Sequence, residues 1–171
     1  MNTQQELKQL FSYQPDTGEF RWLTSIRNGA IKQGDLAGST NNDGYTMIKV
    51  RGRTYAAHRL AWLYVYGAQP SSGIDHINGI RTDNRLANLR LATIKQNNEN
   101  ASIRKDNKTG CRGVHFSARE GKYVAKMEHN KQRISLGYFD CLEDAALAVQ
   151  NKRTELYTHD VGRAALKERN A

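Results

Sequence analysis

Cysteine and proline are almost absent, with two of each in 171 residues. Cys111 and Cys141 lie far apart, with no Cys-x-x-Cys pair and no Cys/His cluster. That argues against a zinc ribbon and against a disulfide scaffold, and makes a reducing cytoplasm the expected compartment. Long apolar runs are missing too: none approaches the ~18 residues of a membrane span. The opening stretch "MNTQQELKQLF" has no basic-then-apolar signal pattern, so no membrane association is expected. Hydrophobic residues make up only 38% and mean hydropathy is −0.76. That is little for one compact globule and fits two small modules with much surface.

Acidic residues are also in short supply. Lys and Arg number 26 against 17 Asp and Glu, a net charge of +9 with a pI near 9.7. Such a balance favours a polyanionic partner, although charge alone leaves a membrane surface or an acidic protein open. The excess is concentrated: residues 101–135 carry 9 basic against 3 acidic side chains, whereas residues 1–100 carry 12 against 8.

Periodicity divides the chain. "TQQELKQLFSY" sets Leu7, Leu10 and Phe11 on one face of a short helix. Pro15-Asp16-Thr17-Gly18 is a turn leading into a strand through Phe20 and Trp22, and Ser25 to Asn42 reads mostly as loop. Tyr45 to Ala56 predicts a hairpin turning at Arg51-Gly52-Arg53, and from His58 the apolar residues Leu60, Ala61, Leu63, Tyr64 and Tyr66 take helical spacing up to Gly67. Ile74 to Ile77 and Leu89 to Ala92 read as short strands, and Thr93-Ile94-Lys95-Gln96 as a capping box opening a helix. Residues 101–110 form a polar linker. Beyond it come three strand-like runs and an amphipathic helix over "CLEDAALAVQNKRTELY", with Ala145, Ala146, Val149 and Leu156 inward.

The chemistry concentrates between Gly73 and Asn98, opening on the run "GIDHING". Phosphodiester cleavage needs an activated water and neutralisation of charge on the phosphate and the departing oxygen. His76 suits the first task as general base. A divalent cation on hard oxygen ligands suits the second, with Asp75 and Asn97 as donors. Asp75 and His76 alternate on a strand and point to opposite sides. Asn88, twelve residues after the histidine, is placed to fix the connecting loop and aim the imidazole. Taken singly, an Asp-His pair is usually a local hydrogen bond and an Asn-Asn pair a turn or cap. Their order and spacing together carry the reading.

The stretch "AHRLAWLYVYG…GIDHINGIRTDNRLANLRLATIKQNNEN" resembles the HNH endonuclease family, with the ββα-metal fold of phage-encoded and homing nucleases. The likeness covers roughly residues 45–100. It implies His76 as general base, Asp75 and Asn97 as ligands of one Mg2+ or Mn2+ ion, and Asn88 as loop organiser, with the neighbouring Asn98 an alternative ligand. It also implies 5′-phosphate and 3′-hydroxyl products. His58, in the "HRL" before the apolar helix, reads first as a structural or capping residue and second as a phosphate contact. Arg81 and Arg85 in the motif loop read equally as phosphate contacts or as solvent-exposed charges.

The second module, "CRGVHFSAREGKYVAKMEHNKQRISLGYFDCLEDAALAV", resembles the AP2 DNA-binding domain, whose three-stranded antiparallel sheet on a helix lies in the major groove. Period-2 alternation turns Tyr123, Ala125 and Met127 inward, with Ile134 and Leu136, against the helix. It leaves His115, Ser117, Arg119, Lys122, Lys126, Arg133 and Ser135 facing DNA. Glu128 on that face departs from the family pattern, so sequence specificity is not carried over.

The expected molecule is thus an α+β protein. Residues 1–100 form an HNH domain (core motif 56–100) on a small N-terminal β-rich platform. Residues 101–110 link it to an AP2-like domain over 111–171. The expected function is metal-dependent endonuclease action on double-stranded DNA, in the cytoplasm of a bacterial host if phage-encoded. The rival is a non-catalytic DNA-binding transcriptional regulator with a scaffold HNH fold. An RNA-directed protein has less support, since no stacking strand rich in aromatics is present.

Overall fold

The computed structural model describes residues 3–26, 28–99, 103 and 106–159. Of the expected linker, residues 101, 102, 104 and 105 lie outside the described residues, as does the stretch 160–171 of the second module. The chain divides into two compact units, Met1–Asn97 and Asn98–Ala171, the division falling inside a helix.

The first unit opens with α1 (Gln4–Leu10), capped by the Thr3 hydroxyl, which accepts from the Glu6 N–H at 3.2 Å. Phe11 was expected on this helix; instead the helix stops at Leu10 and Phe11 opens β1 (Phe11–Gln14). The period-2 spacing of Phe11 and Tyr13 wins, because β1 pairs antiparallel with β2 (Glu19–Trp22) and sets them opposite Trp22 and Phe20. The rings meet across the ladder, Phe11 to Trp22 at 4.4 Å and Tyr13 to Phe20 at 4.7 Å between centroids. Together with Leu7, Ile48, Val50, Leu60, Leu63 and Leu89 they make the core of this unit.

The stretch 25–42 is mainly irregular, as expected; its described residues hold the Ile26–Ile31 bridge, a bridge from Leu36 to Arg21, and the two-residue β3 (Ser39–Thr40). β4 (Thr46–Val50) and β5 (Arg53–Ala56) form the expected hairpin. Its turn residues Arg51 and Gly52 both have positive φ, 47° and 81°, which matches the strand twist of a tight hairpin. α2 (Ala57–Tyr66) buries Leu60, Ala61 and Leu63 and ends on left-handed Gly67. Gln4 Nε2 donates to the Tyr64 carbonyl at 2.7 Å, satisfying an acceptor at the end of α2.

β6 (Gly73–His76) and β7 (Leu89–Ala92) then pair antiparallel, and α3 (Ile94–Glu99) follows. The capping box is reciprocal. Gln96 N–H donates to Thr93 Oγ1 at 3.2 Å, while Gln96 Oε1 accepts from Thr93 N–H at 2.9 Å.

In the second unit β8 (Val114–Ser117), β9 (Lys122–His129) and β10 (Gln132–Phe139) form a three-stranded antiparallel sheet with β9 central. Ala125 and Met127 are buried, and Ile134 and Leu136 are half-buried. α4 (Leu142–Leu156) packs Ala145, Ala146 and Val149 on this sheet, with Leu156 only half-buried. The expected linker is folded at its end: Asn107 Oδ1 accepts from the Thr109 and Gly110 N–H groups, and its Nδ2 donates to the Cys111 carbonyl at 2.9 Å. Among the described residues no helix is long and apolar enough to cross a membrane.

One turn carries more than its own hairpin. Gly18 has φ +76°, and a Cβ there would lie 2.5 Å from the backbone of Asn84 and Arg85. Nothing lies within 4 Å of a Cβ at Gly34, which has φ +90°. Gly34→Ala therefore carries the left-handed backbone cost alone, on the order of 1 kcal/mol, and Gly18→Ala adds a backbone clash that brings it to roughly 3 kcal/mol or more. Thermal melts of the two variants check this. Equal losses would mean that the turn does not press on residues 84–85.

Candidate active site

The two strands β6 and β7 bring Asp75, His76, Asn88 and Arg90 together by register. Asp75 lies directly opposite Arg90, and His76 opposite Leu89. Asp75 and His76 are both buried, at 6% and 4% exposure, and as strand neighbours they point to opposite sides. On its side, the Asp75 carboxylate accepts from Arg90 Nε at 3.0 Å and Nη2 at 2.7 Å through the same Oδ2. Sequence reasoning missed Arg90, although the hairpin register sets it across from Asp75.

The imidazole of His76 sits among rings. His58 meets it edge to face at 5.1 Å, Tyr45 lies 6.0 Å away, and Tyr45 and His58 are 5.4 Å apart. His76 Nε2 lies 3.4 Å from the Asn84 side-chain oxygen. Burial holds the His76 pKa below the ordinary histidine value, with Arg81 acting in the same direction. The Asn84 hydrogen bond and the charges of Asp75 and Asp83 act against it. The ring is thereby kept in its neutral, proton-accepting form near neutral pH.

Asn84 was missed as well, and the tertiary structure explains its place. It is 2% exposed. Its backbone carbonyl accepts from the Tyr13 hydroxyl at 2.7 Å, and its Nδ2 donates to the Thr82 carbonyl at 3.0 Å. Leu86 N–H donates to the Pro15 carbonyl at 3.0 Å. The N-terminal hairpin thus grips the loop beside the histidine.

Asn88 lies in a 3-10 turn (Leu86–Asn88). Its Oδ1 accepts from the Asn78 N–H at 2.9 Å and its Nδ2 donates to the Asp83 carbonyl at 2.8 Å. One buried amide so ties both ends of the loop. Asp83 in turn takes Arg85 Nε at 2.8 Å and Nη2 at 2.6 Å. The Arg85 hydrogen bonds hold its carboxyl well below the usual range, at about 2.

His58 does not cap α2: the cap residue is Ala56 and no side chain bonds there. Its Nδ1 is buried with no hydrogen-bond partner. Asn97 and Asn98 are exposed on α3. Among the described residues no three His, Cys, Asp or Glu side chains gather as a metal-binding group. The oxygen donors at hand are one buried carboxylate and exposed amides. So sparse and hard a set fits a cation of the Mg2+ class, which keeps several waters and takes phosphate oxygens, better than Zn2+.

Residues 55–99 match the family model of the HNH endonucleases. Over this segment the chain is similar to the HNH endonucleases. It holds His58, Asp75, His76, Asn84, Asn88, Arg90 and Asn97. The solved structure of the HNH homing endonuclease I-HmuI, which concerns DNA binding and cleavage, is 28% identical. The match covers 53% of this chain and 50% of that chain, with a TM-score of 0.39. No curated protein matches.

In the second unit, register sorts the expected DNA-facing residues. Ser117 pairs with Lys122, His115 with Val124, Ser135 with Lys126 and Arg133 with Glu128, so His115, Ser117, Lys122, Lys126, Arg133 and Ser135 share the face away from α4. Arg119 does not belong to it. It lies in the β8–β9 turn, exposed, 3.4 Å from Glu120. Exposed Tyr138 opposite Val124 does belong and had not been expected, because a bulge between Ser135 and Gly137 shifts the strand's alternation.

Burial, then the neighbouring His76 and then Arg59 lower the His58 pKa to about 4 from 6.5. Because the folded value lies below the unfolded one, the neutral ring's contribution is complete above pH 6.5. It is lost as pH falls from 6.5 through 4, on the order of 3 kcal/mol in all. His58→Phe keeps a ring and removes the titration. Its melting temperature is expected to fall less steeply than wild type between pH 6.5 and 4.5. Parallel curves for the two proteins would refute this.

Proposed function

We propose that this chain is a metal-dependent DNA endonuclease. The reading rests on one observation above the others: a buried His76 whose ring meets the Asn84 side-chain oxygen, inside the segment that matches the HNH endonucleases. His76 takes a proton from water as general base, and the water attacks the phosphorus in line. Asn88, by tying Asn78 to Asp83, is a positioning residue that holds the loop around the imidazole. Asp75 and Asn97, or Asn98 in its place, would hold one Mg2+ or Mn2+ ion. Such an ion, when bound, neutralises charge on the phosphate and on the leaving 3′ oxygen.

The second unit supplies affinity for duplex DNA in this reading. Its sheet face carries Lys122, Lys126, Arg133 and His115, with Ser117 and Ser135 as hydrogen-bonding groups and Tyr138 among them. Arg119 extends the basic surface from the turn. The AP2 likeness and the exposed, basic outer face support this assignment. Glu128 opposite Arg133 and Asp140 at 3.1 Å from Lys122 reduce the net charge there, which suits moderate affinity with a clear salt dependence.

A second reading, a DNA-binding regulator with a scaffold HNH fold, is favoured by one observation: Arg90 holds the Asp75 carboxylate through two donors. The two readings separate in one assay. Supercoiled plasmid with Mg2+ is expected to convert to open-circle or linear form. EDTA abolishes the conversion, and His76→Ala lowers the rate by roughly 100-fold or more. Retained duplex binding with no conversion by wild type, across Mg2+ and Mn2+ and several DNAs, would select the regulator.

A further inference from the structure

Three arginines stand on the β6–β7 hairpin, and they are not equivalent. Arg90 donates twice to Asp75, and Arg85 donates to both oxygens of Asp83. Each has a carboxylate to compensate it. Arg81 has none among the described residues. Its Nη1 donates to the Asp43 carbonyl at 2.6 Å, and its guanidinium lies over the Tyr45 ring, 4.9 Å from the centroid. Its stem crosses the Asp43-Gly44 turn, where Arg81 Cδ is the atom nearest to a Cβ placed on Gly44.

This is a charged group made rigid without being neutralised. A guanidinium offers five N–H donors in a planar fork, and the Asp43 carbonyl takes one of its nitrogens. Arg81 is an exposed residue, and this is its only hydrogen bond among the described residues. Stacking on Tyr45 costs the fork none of its hydrogen-bonding edge. The same tyrosine ring lies 6.0 Å from His76, so the platform that steadies Arg81 also flanks the imidazole. Arg81 is near enough for its charge to act on that imidazole.

We infer that Arg81, stacked on Tyr45 and anchored to the Asp43 carbonyl, binds non-bridging oxygens of the phosphate presented to His76, and that Arg85 does not. The inference rests on the nuclease reading above. It gives Tyr45 a part as well, that of a platform fixing the fork's direction. A fork held in place binds a tetrahedral anion in a set orientation, which serves in-line attack, whereas a flexible lysine would add only a point charge.

The test is single-turnover cleavage of supercoiled plasmid with Mg2+ at several salt concentrations, alongside thermal melts, for wild type, Arg81→Ala, Arg81→Lys, Arg85→Ala and His76→Ala. Arg81→Ala is expected to lower the cleavage rate roughly 100-fold. Its melting temperature stays unchanged, and its logarithmic salt slope becomes shallower by about 1. Arg81→Lys restores part of the rate, and Arg85→Ala keeps the wild-type salt slope. If Arg81→Ala cleaves at the wild-type rate and slope while His76→Ala is inactive, the inference is overturned and the nuclease reading stands. If Arg81→Ala loses activity only in step with a lower melting temperature, and Lys does not restore it, the residue serves the fold and the inference is again overturned. If wild type itself is inert, the nuclease reading fails, and the inference with it.

Discussion

The site depends on a short bond network at Asn84. Its side-chain oxygen meets the imidazole of His76, and its carbonyl is taken by the hydroxyl of Tyr13, a residue 71 positions earlier in the chain. The Pro15–Gly18 turn presses on the same loop from behind, so closely that only a residue without Cβ fits at position 18. In a loop without regular hydrogen bonding, such external fixation holds the His76 side chain to one orientation. The polar groups involved are buried, and a buried donor or acceptor left unpaired costs about 1–3 kcal/mol. The loop therefore has one well-satisfied arrangement.

Around that loop the design is economical. Asn88 ties its two ends with one amide, and Asp83 is pinned by Arg85. His76 is surrounded by rings, with His58 and Tyr45 limiting its rotation. The burial that orients the imidazole also keeps it neutral, so packing and proton affinity serve the same end. On the other side of β6, Asp75 is paired with Arg90, and the strand's alternation keeps carboxylate and imidazole chemistry apart.

The second unit solves a different problem, presenting a broad face rather than holding one group. Its small core of Cys111, Val114, Ala125, Ala145, Ala146 and Val149 fixes the sheet with little mass. Gly113 lets β9 come close: a Cβ there would lie 2.6 Å from the Lys126 carbonyl. The outer face carries His115, Ser117, Lys122, Lys126, Arg133 and Ser135, with Val124, Glu128 and Tyr138 among them.

What the sequence by itself determined were the features set by local chemistry. The helix over His58–Tyr66, the strand pair flanking the motif, the Thr93 capping box and the three strands with a helix beyond residue 110 all follow from period and cap signals. Asp75, His76 and Asn88 stand out in the sequence by type and spacing, and the fold places the first two on β6 and the third in the turn before β7. Local signals misled at Phe11, where pairing with Trp22 overrode helical spacing, and at Arg119, where the strand ends two residues before it. What only the tertiary structure decided were the partners. Asn84 is chosen by Tyr13 and the Gly18 turn, Arg90 by strand register, and His58 by the ring packed on His76. Arg81 is set apart from Arg85 because the Tyr45 ring and the Asp43 backbone carbonyl hold it and, among the described residues, no carboxylate pairs with it. Spacing along a chain carries information about elements three or four residues wide. Contacts between residues 38 or 71 apart depend on how those elements pack, and packing is a property of the whole fold.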